Sequence, residues 1–224
     1  MELTFVSEES FRINYGKEFS LEKYHQLLYI RDQLLNIDAI TEAVVGYTTL
    51  TVYFNPFRLT YNEVRKVVVP YLTQQTGNQP NGNVIKIPVC YEGEFAPDIQ
   101  VVADYHAIDT NEVIRLHSER NYQVLFLGFA PGFPFLSEVD SKIATPRKNN
   151  PRREVHRGSV GIAGKQTGIY PSPSPGGWQI IGRTPVHLLP MKENQPTLVQ
   201  PGDFIQFYPI SQQEFFNLHE FEHK

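Results

Sequence analysis

Cysteine is nearly absent from this 224-residue chain, where Cys90 stands alone. One cysteine excludes an internal disulfide and a four-cysteine zinc site, and it fits a reducing compartment. Long apolar runs are missing too. Nothing reaches the roughly 18 residues of a membrane-spanning helix, and the apolar stretch Val124–Leu136 is broken by Gly128, Pro131, Gly132 and Pro134. The opening MELTFVSEES lacks the basic start and apolar block of a signal peptide. Positive charge is not in excess: 20 Lys and Arg face 24 Asp and Glu, a net charge of -4 that ill suits a dedicated nucleic-acid binder. The histidines, His25, His106, His117, His156, His187, His219 and His223, show no metal-ligand spacing, and no HExxH occurs. A soluble cytoplasmic protein is expected, with no metal and with neither nucleic acid nor membrane as partner.

What is present is a core and an uneven store of turn formers. Hydrophobic residues make up 41% of the chain, enough to fold. Of its 32 Pro and Gly, 22 lie between 128 and 209, which rules out a helical second half. The first 75 or so residues carry local signals. Phe11-Arg-Ile13-Asn-Tyr15 alternates as a half-buried strand, and Ser20 caps a helix whose face comprises Leu21, Tyr24, Leu27, Leu28, Leu34 and Leu35. Ala39–Val45 and Thr48–Phe54 read as strands around Gly46, and Thr60-Tyr-Asn-Glu63 is a capping box for a helix through Tyr71. The order β-α-β-β-α predicts a small ferredoxin-like α/β domain.

Thr76–Asn83 has no apolar side chain and marks the boundary, giving a first domain at 1–76, a linker at 77–83 and a second domain at 84–224. There Val84–Tyr91, with Pro88 inside, predicts an edge strand. Two short helices follow, Pro97–His106 and Asn111–Glu119, the second capped by Thr110. Short strands are expected at Gln123–Phe129, Ser159–Ala163, Gln179–Thr184, Val186–Leu189 and Asp203–Tyr208, a spacing that suits a barrel or sandwich. Gln212–Lys224 is a short helix or a frayed tail.

Three stretches could carry chemistry. Leu127-Gly-Phe-Ala-Pro-Gly-Phe-Pro-Phe-Leu136 sets Phe129, Phe133 and Phe135 in a Gly/Pro frame that cannot continue a strand. It makes a rigid apolar wall for a ligand or partner, or a buried loop. Between 141 and 165, seven Lys and Arg stand against Glu154 alone. That run is a solvated face, or its Pro-Arg pairs at Arg147 and Arg152 present forks to a carboxylate or phosphate. Gly158, Gly161, Gly164 and Gly168 suggest a phosphate loop, but the residue five before Gly164 is Ser159 and Gln166 follows Lys165, so the motif fails. What remains is close backbone with Gln166, Thr167, Tyr170, Trp178 and Arg183 around it, a pocket suited to a small amide or acid. His117, near a helix end where the dipole favours its cation, serves packing or proton transfer.

LGFAPGFPFL, ATPRKNNPR, GSVGIAGKQTGIYP and SPGGWQIIGRTP together resemble the family containing the B subunit of 5-oxoprolinase, also described as allophanate hydrolase subunit 1 and as a KipI-type kinase inhibitor. Asn14-Tyr-Gly16 and Tyr53–Thr60 extend the likeness over nearly the whole chain, while Val155-His156-Arg157 stands where a Val-Pro-Ala-like run is expected. The resemblance implies an α+β protein of two domains, the second a cyclophilin-like β-barrel, and a likeness to half of a carboxyltransferase domain. It implies one member, inactive alone, of a complex with A and C subunits that opens 5-oxo-L-proline to L-glutamate with ATP. No phosphate loop in this chain binds that ATP. Arg147, Arg152, Gln166, Tyr170, Trp178 and Arg183 are the candidate contacts to the cyclic amide substrate. The alternative is an inhibitor that docks on a sensor histidine kinase through Phe129, Phe133 and Phe135. Prolyl isomerisation is weakest, because fold does not carry function.

Overall fold

The computed structural model describes residues 1–73, 82–190 and 196–221. The chain forms two compact units, Met1–Asn81 and Gly82–Lys224. Most of the linker expected at 77–83 lies outside the described residues.

The first unit runs β1 (Glu2–Ser7), β2 (Ser10–Asn14), α1 (Leu21–Leu35), β3 (Ile40–Val45), β4 (Thr49–Phe54) and α2 (Tyr61–Thr73). Its antiparallel sheet has the order β1-β2-β4-β3. Alternation puts Phe11 and Ile13 of β2 with Leu50, Val52 and Phe54 of β4 on one buried face. Against that core lie Tyr24, Leu27, Leu28, Ile30 and Leu34 of α1. Ser20 accepts from the Lys23 amide as the expected cap, whereas Leu21 and Leu35 are half exposed at the helix ends. Glu63 accepts from both the amide and the hydroxyl of Thr60, at 2.8 and 2.7 Å. β1 is not separable from β2 by pattern, because it is an edge strand whose side chains are exposed or half buried.

The second unit contains a closed seven-stranded barrel, so the chain is mixed α and β. Its strands are β5 (Val84–Cys90), β6 (Asn121–Leu127), β7 (Pro134–Leu136), β9 (Ser159–Ala163), β10 (Gln166–Ile169), β12 (Gln179–Arg183) and β13 (Phe204–Ile210), in the order β10-β7-β6-β13-β5-β12-β9. β8 (Arg152–Val155) and β11 (Ser174–Gly176) form a separate ribbon. A 3-10 turn at Gly93–Phe95 leads to α3 (Ile99–His106) and α4 (Thr110–Ser118), and α5 (Gln212–Phe221) ends the described chain.

Several expectations are corrected here. β5 is not an edge strand: it pairs with β13 along its whole length and with β12 only at Cys90, so Pro88 falls where the second side has no ladder. Asp109, not Thr110, caps α4, accepting from the Glu112 amide at 2.8 Å. Pro134 does start a strand, β7, because the first position can do without a donor. Val186–Leu189 is irregular.

The barrel interior holds Ile87, Val89, Tyr122, Val124, Leu136, Val160, Ile162, Ile169, Ile181, Ile205 and Phe207. One polar chain crosses it. Thr167 donates to the Gly161 carbonyl at 3.0 Å, so it accepts from His117 Nε2–H at 3.0 Å, and Tyr91 donates to His117 Nδ1 at 2.8 Å. His117 is fully buried and stacked on Phe207. Burial outweighs the helix dipole and lowers its pKa to about 3, so the expected cation is a neutral core imidazole.

Candidate functional site

The loop between β6 and β7 folds on itself: Ala130 donates to Gly128, Phe133 to Ala130, and Gly128 to Phe133. Phe129 sits in the left-handed region at φ 67, a costly conformation for an aromatic residue, and its side chain is 68% exposed. Phe133 turns the other way, is 1% exposed and stands at the centre of an aromatic cluster. Its ring is edge-on to Tyr170 at 5.2 Å, to Trp178 at 5.4 Å and to Phe129 at 5.6 Å, with Phe135 at 4.9 Å.

These rings wall a cavity of about 270 Å³, completed by Arg147, Pro151, Pro175, Gly176 and Gly177. Gly176 is required there, since a Cβ would strike the Tyr170 hydroxyl. Arg147 lies 5.8 Å over the Trp178 ring and has no carboxylate partner among the described residues. Its fork is therefore available to an anion entering an otherwise apolar cavity. Burial raises the Tyr170 pKa, opposed by a hydrogen bond from the Trp178 backbone and by the nearby Arg147 and Arg152.

Asp98 organises the basic segment, and sequence reasoning missed it. Its carboxylate is almost fully buried. Oδ1 accepts from Arg152 at 2.7 Å and Lys148 at 3.1 Å, and Oδ2 accepts from the Ile180 amide at 2.7 Å. Burial pushes its pKa up, but Arg152, the Ile180 amide and Lys148 together draw it below the ordinary aspartate value. Lys148 is also tied through its backbone to Gly177. The segment is thus anchored on both sides of Arg147 rather than spread as a solvated face. The one available signal was an acid just before a helix that makes no cap bond; its basic partners lie some fifty residues on and could not be chosen from sequence.

The structure redistributes the expected site residues. Arg147, Tyr170 and Trp178 meet, and Phe129, Phe133 and Phe135 line the same cavity; of the three only Phe129 is well exposed, because Phe133 fills the cluster. Arg152 and Arg183 line a different cavity of about 290 Å³ with Phe95, Ser159 and Ile180. Gln166 lies in neither: it opens β10 opposite Ala163. His156 is exposed, and the Arg157 carbonyl accepts from Arg183 Nε at 2.9 Å. Gly158–Gly168 forms the β9–β10 hairpin, turning at Gly164, and no helix follows it. These residues do not fit a nucleotide phosphate chain, which needs amides converging at a helix start.

The model of the family described as carboxyltransferase domain, subdomain C and D, matches residues 1–199. The B subunit of 5-oxoprolinase from Bacillus subtilis (strain 168) is 37% identical over 226 residues, covering 94% of this chain and 93% of that protein. The crystal structure of TTHA0988 superposes with a TM-score of 0.77 at 35% identity, over 90% of this chain and 40% of that longer one. The conserved uncharacterized protein PH0987 from Pyrococcus horikoshii gives 0.58 at 39% identity, over 96% of this chain and 100% of its own. With its barrel, its aromatic cavity and this continuous likeness, the chain belongs to the carboxyltransferase domain, subdomain C and D, family and is a relative of the 5-oxoprolinase B subunit.

Proposed function

We propose that this chain is one component of an ATP-dependent 5-oxoprolinase, inactive alone, that opens 5-oxo-L-proline to L-glutamate together with A and C subunits. The observation that carries the reading is the 37% identity to the 5-oxoprolinase B subunit over almost the whole of both chains. The cavity supports it. 5-Oxoproline is a small planar lactam with one carboxylate, and a cavity of about 270 Å³ lies just under the range of about 300–1,000 Å³ usual for drug-sized ligands. Arg147 takes the carboxylate, while Trp178, Phe133 and Tyr170 pack on the ring and exclude water. Because the β9–β10 hairpin does not fit a nucleotide, ATP is handled elsewhere in the complex, and this chain binds and orients the amide. The domain reading goes with it: a ferredoxin-like unit, supported by the sheet order β1-β2-β4-β3, and a cyclophilin-like barrel, supported by the closed seven-stranded sheet.

Reconstitution tests the proposal. The chain with its A and C subunits releases glutamate from 5-oxoproline and ATP, and the chain alone does not. Absence of glutamate from the complete complex sinks it. Phe129, exposed on a strained turn, favours one second reading, docking on a sensor histidine kinase. That reading requires the chain to slow kinase autophosphorylation and Phe129→Ala to relieve the effect.

A further inference from the structure

The second cavity lies between β8, β12 and the 3-10 turn at Gly93–Phe95, and its donors are unspent. Arg152 gives Nη2 to Asp98, but its Nη1 is buried and has no partner among the described residues. Arg183, half buried, uses only Nε, leaving both Nη groups without a hydrogen bond among the described residues. Ser159 lines the same cavity, and its hydroxyl makes no hydrogen bond among the described residues. A guanidinium nitrogen out of contact with water costs folding energy unless something pairs with it.

The signs of charge are separated. Arg152 and Arg183 stand on the strands, while Glu94 and Glu154 are exposed at the rim, and Phe95 and Ile180 supply an apolar floor. A simple anion would be repelled by the two rim carboxylates. A metal cation would meet two guanidinium groups. A zwitterion satisfies both ends.

We propose that this cavity binds a free α-amino acid, its carboxylate held by Arg183, Arg152 and Ser159 and its ammonium group by Glu94 and Glu154. α5 packs against two of the lining residues, Phe95 and Arg183. The Phe215 ring lies tilted against Phe95 at 4.4 Å, and the Arg183 guanidinium lies 6.0 Å from the Phe215 ring. The site stands whether or not the aromatic cavity takes 5-oxoproline. If it does, the amino acid released by that reaction is a ligand for a second place on the same chain.

Titration calorimetry on the full chain tests this, with L-glutamate, L-valine, glutarate and inorganic phosphate each taken to about 10 mM, a range that detects even weak binding. At least one amino acid binds one to one, and more tightly than glutarate or phosphate. Arg183→Gln weakens it roughly tenfold or more, the loss of a charge-assisted fork. Glu154→Gln, at an exposed position that leaves the fold intact, weakens the amino acid and not glutarate. Arg147→Ala, in the aromatic cavity, leaves it unchanged. The proposal is overturned if no amino acid binds, or if glutarate or phosphate binds as well as glutamate. It is equally overturned if Arg147→Ala abolishes binding that Arg183→Gln leaves intact, which would put the amino acid in the aromatic cavity.

Discussion

Acidification should destabilise the barrel unit through His117 before the carboxylates contribute much. The imidazole accepts from Tyr91, donates to Thr167 and has no water contact, and its pKa falls to about 3 in the folded chain. In the unfolded chain it returns to about 6.5. A depressed histidine binds its proton only after unfolding, so the unfolded state takes up more protons across this window and stability falls with pH. From pH 7.5 to pH 5 the loss is about 2 kcal/mol, from 1.36 kcal/mol per pH unit once below the unfolded value. Asp98, Glu63, Glu112 and Glu214 are held below their ordinary values and act in the same direction. They are ionised in both states until the pH drops under about 5, so they leave the upper part of the window to the histidine. Trp178 is the only tryptophan and lies in the same unit, so its fluorescence in urea titrations reports this unit alone. His117→Gln keeps hydrogen-bonding capacity without a titrating ring. Wild type should lose about 2 kcal/mol more than this variant between pH 7.5 and 5. Equal slopes for the two proteins would refute the buried neutral imidazole.

Asp98→Asn weakens the anchor of the basic segment and should cost about 2–3 kcal/mol, less than a wholly buried pair because Arg152 and Lys148 are partly exposed. Trypsin should then cut after Arg147, Lys148 or Arg153 faster than in wild type at equal folded fraction. Gly176→Ala drives a methyl group into the Tyr170 hydroxyl and should cost about 1–3 kcal/mol with a shifted Trp178 emission; an unchanged spectrum would mean that the ribbon yields freely. Arg147→Ala should raise KM for 5-oxoproline in the reconstituted complex about tenfold or more with a smaller change in kcat, the pattern of lost substrate binding. Phe129→Ala, removing an exposed ring, should change stability by no more than about 0.5 kcal/mol.

Local chemistry made much of the fold legible. The Ser20 cap, the strands flanking Gly46 and the helix after Thr60 all follow from neighbours in the chain, and the structure places them within a residue or two. Strands with little periodicity were opaque. β7, β8, β10 and β11 are three or four residues long and owe their form to partners distant in sequence, as Phe135 does to Gly168. The site was half legible. Residue types that suit a small acid or amide could be named, but their grouping could not, because it depends on one buried carboxylate. Asp98 ties Arg152 and Lys148 to Ile180, and its place just ahead of a helix is the sole hint that the surrounding sequence offers.

The pairing of β5 with β13 has a consequence for how the chain emerges from the ribosome. Phe204 meets Val84 and Ile210 meets Cys90, so the barrel seam joins the first strand of the unit to its last. The first unit closes its sheet from hairpins and near neighbours and can fold as soon as residue 73 is free. β5 is made soon afterwards but has no complete ladder until Ile210 appears, which leaves Ile85, Ile87 and Val89 exposed in the interim. A nascent chain stalled before residue 204 therefore carries one finished unit and one open apolar edge, the natural point for chaperone capture or for aggregation.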